Sequence, residues 1–262
     1  MPLLIEQEIA FFKVNGYVIK RGAIDSDAVA MCRDNVWANI PESKDDPESW
    51  TDGAHAVFRT LKSDDAYSPW ALERPFVEMM ELQRPFAEQM LGDKLVPPTP
   101  GYVMLRFPSG ETQWNPPDSG HLDSTWGTSM ATGVLLDTVE PKGGGYTVWP
   151  GSHLMHHQVF LNRDVKTSPI SMFGPSPWPT GTGVEVTGEA GDLVVIHPWL
   201  LHTVGHNITE RVRMILLTGW RRVSIKQDYD NVGPDLWWYW DGMKSIEQDL
   251  LAQNLSWPVG CG

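Results

Sequence analysis

The first third of the chain alternates helical patterns with short apolar runs. Apolar residues among Glu and Lys predict a short helix over residues 6–13, which ends at Gly16 because glycine favours the left-handed conformation of a helix C-cap. Residues 17–19 predict a strand. An Asp or Ser at its start favours a second helix over residues 26–36, and apolar side chains at helical spacing predict a third over residues 75–91.

The pattern changes near residue 97, where alternating and β-branched positions replace helical spacing. Strands are predicted at residues 102–107, 130–136, 146–149, 183–186, 193–196 and 211–218. Glycine- and proline-rich turns separate them, such as the run of three glycines before residue 146. Many short strands joined by such turns are typical of a sandwich or barrel rather than of a parallel α/β sheet.

These patterns predict one domain of the α+β class, mainly β, in which N-terminal helices buttress a jelly roll. The helical part is expected over about residues 1–96, the jelly-roll core over about 97–223 and a C-terminal cover over about 224–262. A chain of 262 residues, of which 41% are hydrophobic, is long enough to form one sizeable core.

Charge and composition narrow the class of partner. The net charge of −13 repels phosphate backbones and anionic membrane surfaces, which argues against nucleic acid and membrane as partners. The chain shows no basic leader followed by an apolar segment and no apolar run of about 20 residues, and its two cysteines demand no oxidising compartment. We therefore expect a cytoplasmic protein that acts on a small molecule.

The tripeptide His121-Leu122-Asp123 offers a pair of metal ligands. In an extended segment, residues two apart point to the same side, so the imidazole and the carboxylate would converge on one point. A surface histidine beside a turn aspartate would give the same pattern, so this tripeptide needs a third ligand from elsewhere in the chain.

A second segment, residues 191–202, runs as an aliphatic strand into two histidines, His197 and His202. Either imidazole could complete a metal site, and either could be a structural, hydrogen-bonded residue. His202 is followed by Thr203-Val204-Gly205, which is the position expected for a ligand on a returning strand.

Arg213 lies within a long apolar strand, where Ile215 and Leu217 share its face. A buried guanidinium is costly unless its charge is paired. Arg213 is therefore expected either in a buried salt bridge or facing an anionic ligand, since guanidinium binds a carboxylate in a two-pronged fork.

Together these segments favour one kind of chemistry. Two histidines and one carboxylate on a β scaffold form a facial triad, which leaves coordination positions open for non-haem iron(II) chemistry. A keto acid could take two of these positions and O₂ the third. The distant carboxylate of that keto acid could then pair with Arg213.

Several motifs occur along most of the chain in a fixed order. They are Asn15-Gly16-Tyr17-Val18-Ile19, His121-Leu122-Asp123, Gly144-Gly145, Trp149-Pro150-Gly151-Ser152-His153, the block from Gly191-Asp192 through His197-Pro198 to His202, Gly205, Asn207 and Arg213. In this combination the chain resembles the phytanoyl-CoA dioxygenase family of iron(II)- and 2-oxoglutarate-dependent oxygenases. The fold that the resemblance implies is a double-stranded β-helix, which is a cupin-like jelly roll.

The resemblance also implies roles at the metal. It implies that His121, Asp123 and His202 bind iron, and that His197 is the family's upstream histidine, which does not bind iron. In related halogenases a small residue replaces the carboxylate and frees a site for chloride. The presence of Asp123 therefore favours hydroxylation, desaturation or another oxidation over halogenation.

For the co-substrate, the resemblance implies that Arg213 pairs with the distal carboxylate of 2-oxoglutarate, with Arg211 as the alternative. Thr203 falls one position from a hydroxyl that contacts the co-substrate in relatives, and Trp149 matches an aromatic position near the pocket. The expected cofactors and co-substrates are thus Fe(II), 2-oxoglutarate and O₂.

The expected activity is oxidation of a small organic molecule, such as an amino acid or natural-product intermediate, with succinate and CO₂ as co-products. One alternative is a cupin-like zinc or manganese hydrolase or isomerase, which would leave Arg213 without a co-substrate. Another is a catalytically silent binding protein on the same scaffold. Residues 153–157, which include three histidines, are predicted to form a loop near the mouth of the site.

Overall fold

The computed structural model describes residues 3–51, 59–61, 74–92, 94–97, 102–123, 129–161, 183–224 and 232–243. The helices are α1 (Glu6–Asn15), α2 (Ser26–Asn39), α3 (Arg74–Leu91) and α4 (Ser152–Leu161), with short 3₁₀ turns at Pro47–Thr51 and Asp241–Met243. The strands are β1 (Tyr17–Lys20), β2 (Arg59–Leu61), β3 (Tyr102–Arg106), β4 (Ser129–Leu135), β5 (Tyr146–Val148), β6 (Val184–Glu185), β7 (Leu193–Ile196), β8 (His202–Val204) and β9 (Arg213–Arg221).

The N-terminal helices begin and end where local chemistry predicts. Gly16 ends α1 in the left-handed conformation at φ 80°, and its backbone N–H donates to the Phe12 carbonyl at 2.7 Å. Asp25 caps α2, because its carboxylate accepts the backbone N–H of Asp27 at 2.9 Å. None of the described helices is long and apolar enough to cross a membrane.

Two antiparallel sheets face each other. The larger has six strands in the order β1-β7-β4-β9-β3-β2, and the smaller has three in the order β6-β5-β8. Residues from both sheets line one cavity, which therefore lies between them. One hydrophobic cluster extends from Leu4 to Met243 and joins both sheets to the helices. The arrangement agrees with the predicted mainly β jelly roll.

The N-terminal part is more than a helical buttress. Strand β1 pairs with β7 and strand β2 pairs with β3, so residues before 97 supply both edge strands of the larger sheet. The short apolar run at residues 17–19 predicted β1, whereas β2 was not predicted. At the other end, β9 begins at Arg213 rather than at residue 211.

Helix α3 is fixed to the larger sheet by a buried polar network. The Thr132 hydroxyl donates to Oε1 of Gln83 at 2.6 Å, and Nε2 of Gln83 donates to Oγ1 of Thr218 at 3.1 Å. Nε1 of Trp220 donates to Oγ1 of Thr132 at 2.7 Å. These bonds join the helix to β4 and β9, and they hold together the strands that form one wall of the cavity.

Residues 153–157 form part of helix α4, so the predicted loop was wrong. The helix buries His153, His156, His157 and Phe160, which follow the i, i+3, i+4, i+7 spacing of one helical face. The loop was predicted because the segment follows the turn at Pro150-Gly151-Ser152. Within this fold the imidazoles are buried in the same way as aromatic rings, so they belong to the apolar face.

These histidines join the C-terminal tryptophans. The His197 ring stacks on Trp240 with centroids 5.2 Å apart, and the His153 ring lies 5.8 Å from that of Trp237. Nε2–H of His157 donates to the Gly233 carbonyl at 2.8 Å. We call His153, His156, His157 and His197 the histidine cluster. Through it, residues 232–243 of the predicted C-terminal cover pack against α4 and the end of β7.

The histidine cluster makes stability depend on pH. Burial lowers the pKa of His153 from 6.5 to about 4, so its imidazole is neutral in the folded protein. Between these two values the unfolded chain binds more protons than the folded one, so stability falls as the pH drops from 6.5 toward about 4. We expect the free energy of urea unfolding to fall less steeply over this range in His153→Gln than in the wild type.

The glutamine keeps an N–H donor for the Lys13 carbonyl, which Nε2 of His153 contacts at 3.1 Å. His206→Gln, at an exposed histidine outside the cluster, is the matched control and should keep the wild-type slope. Equal slopes for the wild type and His153→Gln would contradict the prediction.

Candidate metal centre

Two segments that are far apart in sequence meet at the candidate ligands. The backbone N–H of His121 donates to the His202 carbonyl at 2.8 Å, and the N–H of His202 donates to the His121 carbonyl at 3.1 Å. Gly120 permits this approach, because a Cβ there would lie 2.6 Å from the carbonyl oxygen of His202. The bridge brings the two imidazole rings to a centroid distance of 4.5 Å.

Asp123 lies close to both imidazoles, whereas the two-residue spacing predicted only its approach to that of His121. Its Oδ1 lies 3.9 Å from Nε2 of His121 and 3.3 Å from Nε2 of His202. One ligand atom from each of the three residues lies within 4.8 Å of the other two. Two metal bonds of about 2.0–2.2 Å to a shared centre span at most about 4.4 Å, which includes both distances from Asp123. Within the described part of the chain, no other such group of three metal-ligating side chains occurs.

The charges of the triad suit a cation. Burial works to raise the pKa of Asp123, but His202 and His121 hold it below its ordinary value. Burial works to lower the pKa of His202, and the Asp123 carboxylate more than offsets this and raises it. Burial, together with His202, lowers the pKa of His121. The centre therefore presents a carboxylate anion flanked by two imidazoles whose nitrogens converge on it.

A hydrogen bond fixes the tautomer of His202. Its Nδ1 lies 2.9 Å from the Leu200 carbonyl, which can only accept, so Nδ1 carries the proton. Nε2 is then the nitrogen that faces Asp123 and His121, and a metal ion would take the place of any proton that it shares with the carboxylate. A backbone carbonyl behind a histidine in this way is typical of metal ligands, because it orients the ring and raises its basicity.

A cavity of about 280 Å³ adjoins the triad. All three triad residues line it, and most of the remaining wall is apolar, with Met104, Met130, Ile196, Pro198, Val204 and Leu217 among the lining residues. Such a space can hold a small ligand beside the metal centre and keep it partly out of water.

Arg213 is a buried cation that forms no ion pair with any carboxylate of the described residues. Its side chain is 1% exposed, and its Nη1 donates to the Met104 carbonyl at 3.4 Å. Its Nε and Nη2 have no hydrogen-bond partner among the described residues, and no described carboxylate forms an ion pair with it. Burial lowers its pKa to about 10, so it stays protonated at neutral pH. Within the described part of the chain, the predicted salt-bridge alternative is thus not found.

The structure does not bring the other predicted co-substrate contacts to the cavity. Thr203 lies between His202 and Val204 on β8, and because strand neighbours alternate, its side chain faces away from the wall that they form. Trp149 is buried behind the bridge, where its Cζ3 would meet a Cβ at Gly120 at 2.9 Å. Its position supports the ligand pair from behind.

The two alternative residues also lie away from the cavity. Arg211 is exposed and pairs with Asp137 at 3.5 Å and with Glu140 at 3.3 Å. His197 lies in the histidine cluster, where its Nδ1 accepts the backbone N–H of Trp199 at 3.1 Å. Of the two histidines, His202 is therefore the one that lines the cavity. Of the two arginines, Arg213 is the buried one, and it lies against Tyr146, which lines the cavity.

Sequence reasoning missed Tyr146. Its ring lines the cavity, lies 6.1 Å from the His202 ring and has the Arg213 guanidinium 5.5 Å from its centroid. A tyrosine in an apolar strand gives no signal beyond that of a core residue. Only the pairing of β5 with β8 brings it beside a metal ligand.

Two facing antiparallel sheets with a two-histidine, one-carboxylate centre between them define a class, the jelly-roll proteins that hold a catalytic metal. The sequence profile of the phytanoyl-CoA dioxygenase (PhyH) family matches residues 12–215, most of the chain. The chain belongs to this family. No curated protein matches it.

Solved structures confirm the fold class. The epimerase SnoN, in a complex with Fe³⁺, α-ketoglutarate and nogalamycin RO, is similar with a TM-score of 0.56 and 22% identity, over 86% of this chain and 87% of its own. HygX from Streptomyces hygroscopicus, with nickel and 2-oxoglutarate bound, is similar with a TM-score of 0.55 and 14% identity, over 86% of this chain and 89% of its own. The carbocyclase SnoK from nogalamycin biosynthesis is similar with a TM-score of 0.55 and 15% identity, over 84% of each chain. These are cupin-like jelly rolls, as predicted from the sequence.

The triad geometry predicts the effect of removing a ligand. Asp123→Ala should weaken the binding of Mn(II), used as a redox-stable divalent probe, by at least about a hundredfold, since even changes behind a ligand cost about 10–100-fold. Isothermal titration calorimetry measures the affinity. His206→Ala, at an exposed histidine beside Glu111, is the control and should bind like the wild type. Unchanged Mn(II) affinity in Asp123→Ala would refute the assignment.

Proposed function

We propose that this protein is an Fe(II)- and 2-oxoglutarate-dependent dioxygenase of 262 residues in one catalytic, cytoplasmic domain. It oxidises, and in the simplest case hydroxylates, a small organic molecule such as an amino acid or natural-product intermediate. The observation that carries the proposal is a metal-ligand triad and a buried guanidinium that both lie against the same tyrosine ring. Two nitrogens of that guanidinium have no hydrogen-bond partner among the described residues.

The residues of the triad fit the metal. His121, Asp123 and His202 would hold Fe(II) through two imidazole nitrogens and a carboxylate oxygen, which is the donor set of non-haem iron enzymes. The Leu200 carbonyl keeps His202 in the tautomer that binds metal. Iron, 2-oxoglutarate and O₂ together supply the oxidising chemistry, with succinate and CO₂ as co-products.

Arg213 fits the co-substrate. Its Nε and Nη2 are the two parallel donors that a carboxylate accepts as a fork, and neither has a partner among the described residues. A fully buried cation is stable only when an anion neutralises it. A keto-diacid held at the metal by one end and at Arg213 by the other would supply that anion.

The remaining wall positions the substrate. The apolar side chains around the triad exclude water and hold a carbon skeleton close to the metal, where placement decides which bond reacts. The cavity of about 280 Å³ favours a small substrate group at the metal. The neighbours include an epimerase and a carbocyclase, so product analysis belongs beside any test for hydroxylation.

Arg213 also separates the proposal from its rivals. A zinc or manganese hydrolase or isomerase would leave Arg213 without a co-substrate, whereas a silent binding protein is distinguished by its lack of activity. The direct test is to incubate the protein with Fe(II), ascorbate and 2-oxoglutarate and to measure succinate. We expect succinate to form with Fe(II) and to be lost in Asp123→Ala. Hydrolytic activity with Zn(II) alone, or no succinate with any metal, would contradict the proposal.

The arginine itself gives a matched pair of variants. Arg213→Met should raise the KM for 2-oxoglutarate by at least about a hundredfold, since breaking a buried charge pair costs about 3–5 kcal/mol. Arg211→Met, at an exposed arginine two residues away, should change it less than about twofold. Because the charge of Arg213 has no partner among the described residues, the ligand-free Arg213→Met protein should melt no lower than the wild type. A large loss of stability with an unchanged KM would indicate a structural arginine instead.

A further inference from the structure

Tyr146 touches both halves of the proposed site. It is 4% exposed, and it projects from the smaller sheet into the cavity. Its ring meets the His202 ring nearly at right angles, at 70° and 6.1 Å, and the Arg213 guanidinium lies 5.5 Å from its centroid. One aromatic side chain therefore separates a candidate metal ligand from the buried cation.

The opposite wall leaves room for this ring. Gly133 on β4 faces it, and a Cβ at Gly133 would lie 3.7 Å from Cε2 of Tyr146. The same Cβ would press on Ile215 at 3.0 Å and on Leu217 at 3.1 Å. A bare backbone at this position lets the phenol reach from the smaller sheet to the larger one. The ring consequently lies between the two sheets, within 6.1 Å of the His202 ring and 5.5 Å of the Arg213 guanidinium.

The hydroxyl of Tyr146 is a hydrogen-bond donor that lacks an acceptor among the described residues. Within the described part of the chain, no residue forms a hydrogen bond with its hydroxyl. Burial raises its pKa well above the ordinary value, so the hydroxyl keeps its proton. Two nitrogens of its neighbour Arg213, Nε and Nη2, also lack partners in the described structure. A carboxylate is the group that satisfies donors of both kinds.

We propose that Tyr146 determines co-substrate specificity together with Arg213. Its hydroxyl donates a hydrogen bond to the distal carboxylate that Arg213 binds, and its ring holds the guanidinium in place by a cation–π contact. The site therefore selects a keto acid with a second carboxylate over a keto acid that lacks one. This inference rests on the proposed function, and it adds a binding residue that the sequence motifs do not contain.

Binding without turnover tests the inference. With Mn(II) in the place of iron, calorimetry measures the affinities for 2-oxoglutarate and for pyruvate, a keto acid without the distal carboxylate. Tyr146→Phe keeps the ring and removes the hydroxyl, so we expect about tenfold weaker 2-oxoglutarate binding. Mn(II) affinity and the weak pyruvate affinity should not change. In the Fe(II) enzyme the same variant should raise the KM for 2-oxoglutarate and leave kcat within about twofold.

Tyr17→Phe is the matched control, because it also removes a hydroxyl from a buried tyrosine. Tyr17 does not line the cavity, and its ring packs edge-on against Phe11. It should leave all affinities unchanged. Equal 2-oxoglutarate affinity in the wild type and Tyr146→Phe would overturn the role of Tyr146 and leave the proposed function standing. An equal loss of 2-oxoglutarate and pyruvate binding would also overturn that role, because it indicates a disturbed metal centre. Failure of the wild-type Mn(II) protein to bind 2-oxoglutarate would instead overturn the proposed function, and this inference with it.

Discussion

The site depends on two backbone hydrogen bonds between His121 and His202. They join an otherwise irregular segment to strand β8, and they set both imidazoles on the same side of the bridge. Gly120 allows the approach, and buried Trp149 closes the space behind it. Asp123 then needs only two residues of extended chain to reach the same point. The candidate metal centre is therefore a property of the pairing between this segment and β8, and it forms only when that pairing forms.

A second constraint concerns Arg213, where the residue that favours stability differs from the residue that the proposed function needs. A methionine in place of Arg213 would be buried at a lower cost in free energy, because burying a guanidinium without an anion is unfavourable. The chain keeps the arginine, places a tyrosine ring over it and leaves a glycine opposite that ring. Features that break the rules of a stable core at one point are expected where a ligand completes the structure.

Local chemistry made much of the architecture predictable, and tertiary contacts account for what was missed. Gly16 and the aspartate that caps α2 are signals that act within one turn of helix, so they could be found from the sequence. The histidine face of α4 was missed because imidazole counts as apolar only once it is buried and neutral. The side chains of Thr203 and Trp149 could not be oriented, because strand register decides which face a residue takes. Tyr146 gave no signal, because its neighbours come from other strands.

The triad is unequally exposed. The side chains of His121 and Asp123 are 35% and 40% exposed, whereas that of His202 is 5% exposed. The two ligands on the irregular segment are therefore the ones that solvent reaches, and the ligand on β8 is the inner one. For an ion that enters from the solvent side, the carboxylate would be the outer ligand and the imidazole of His202 the inner one.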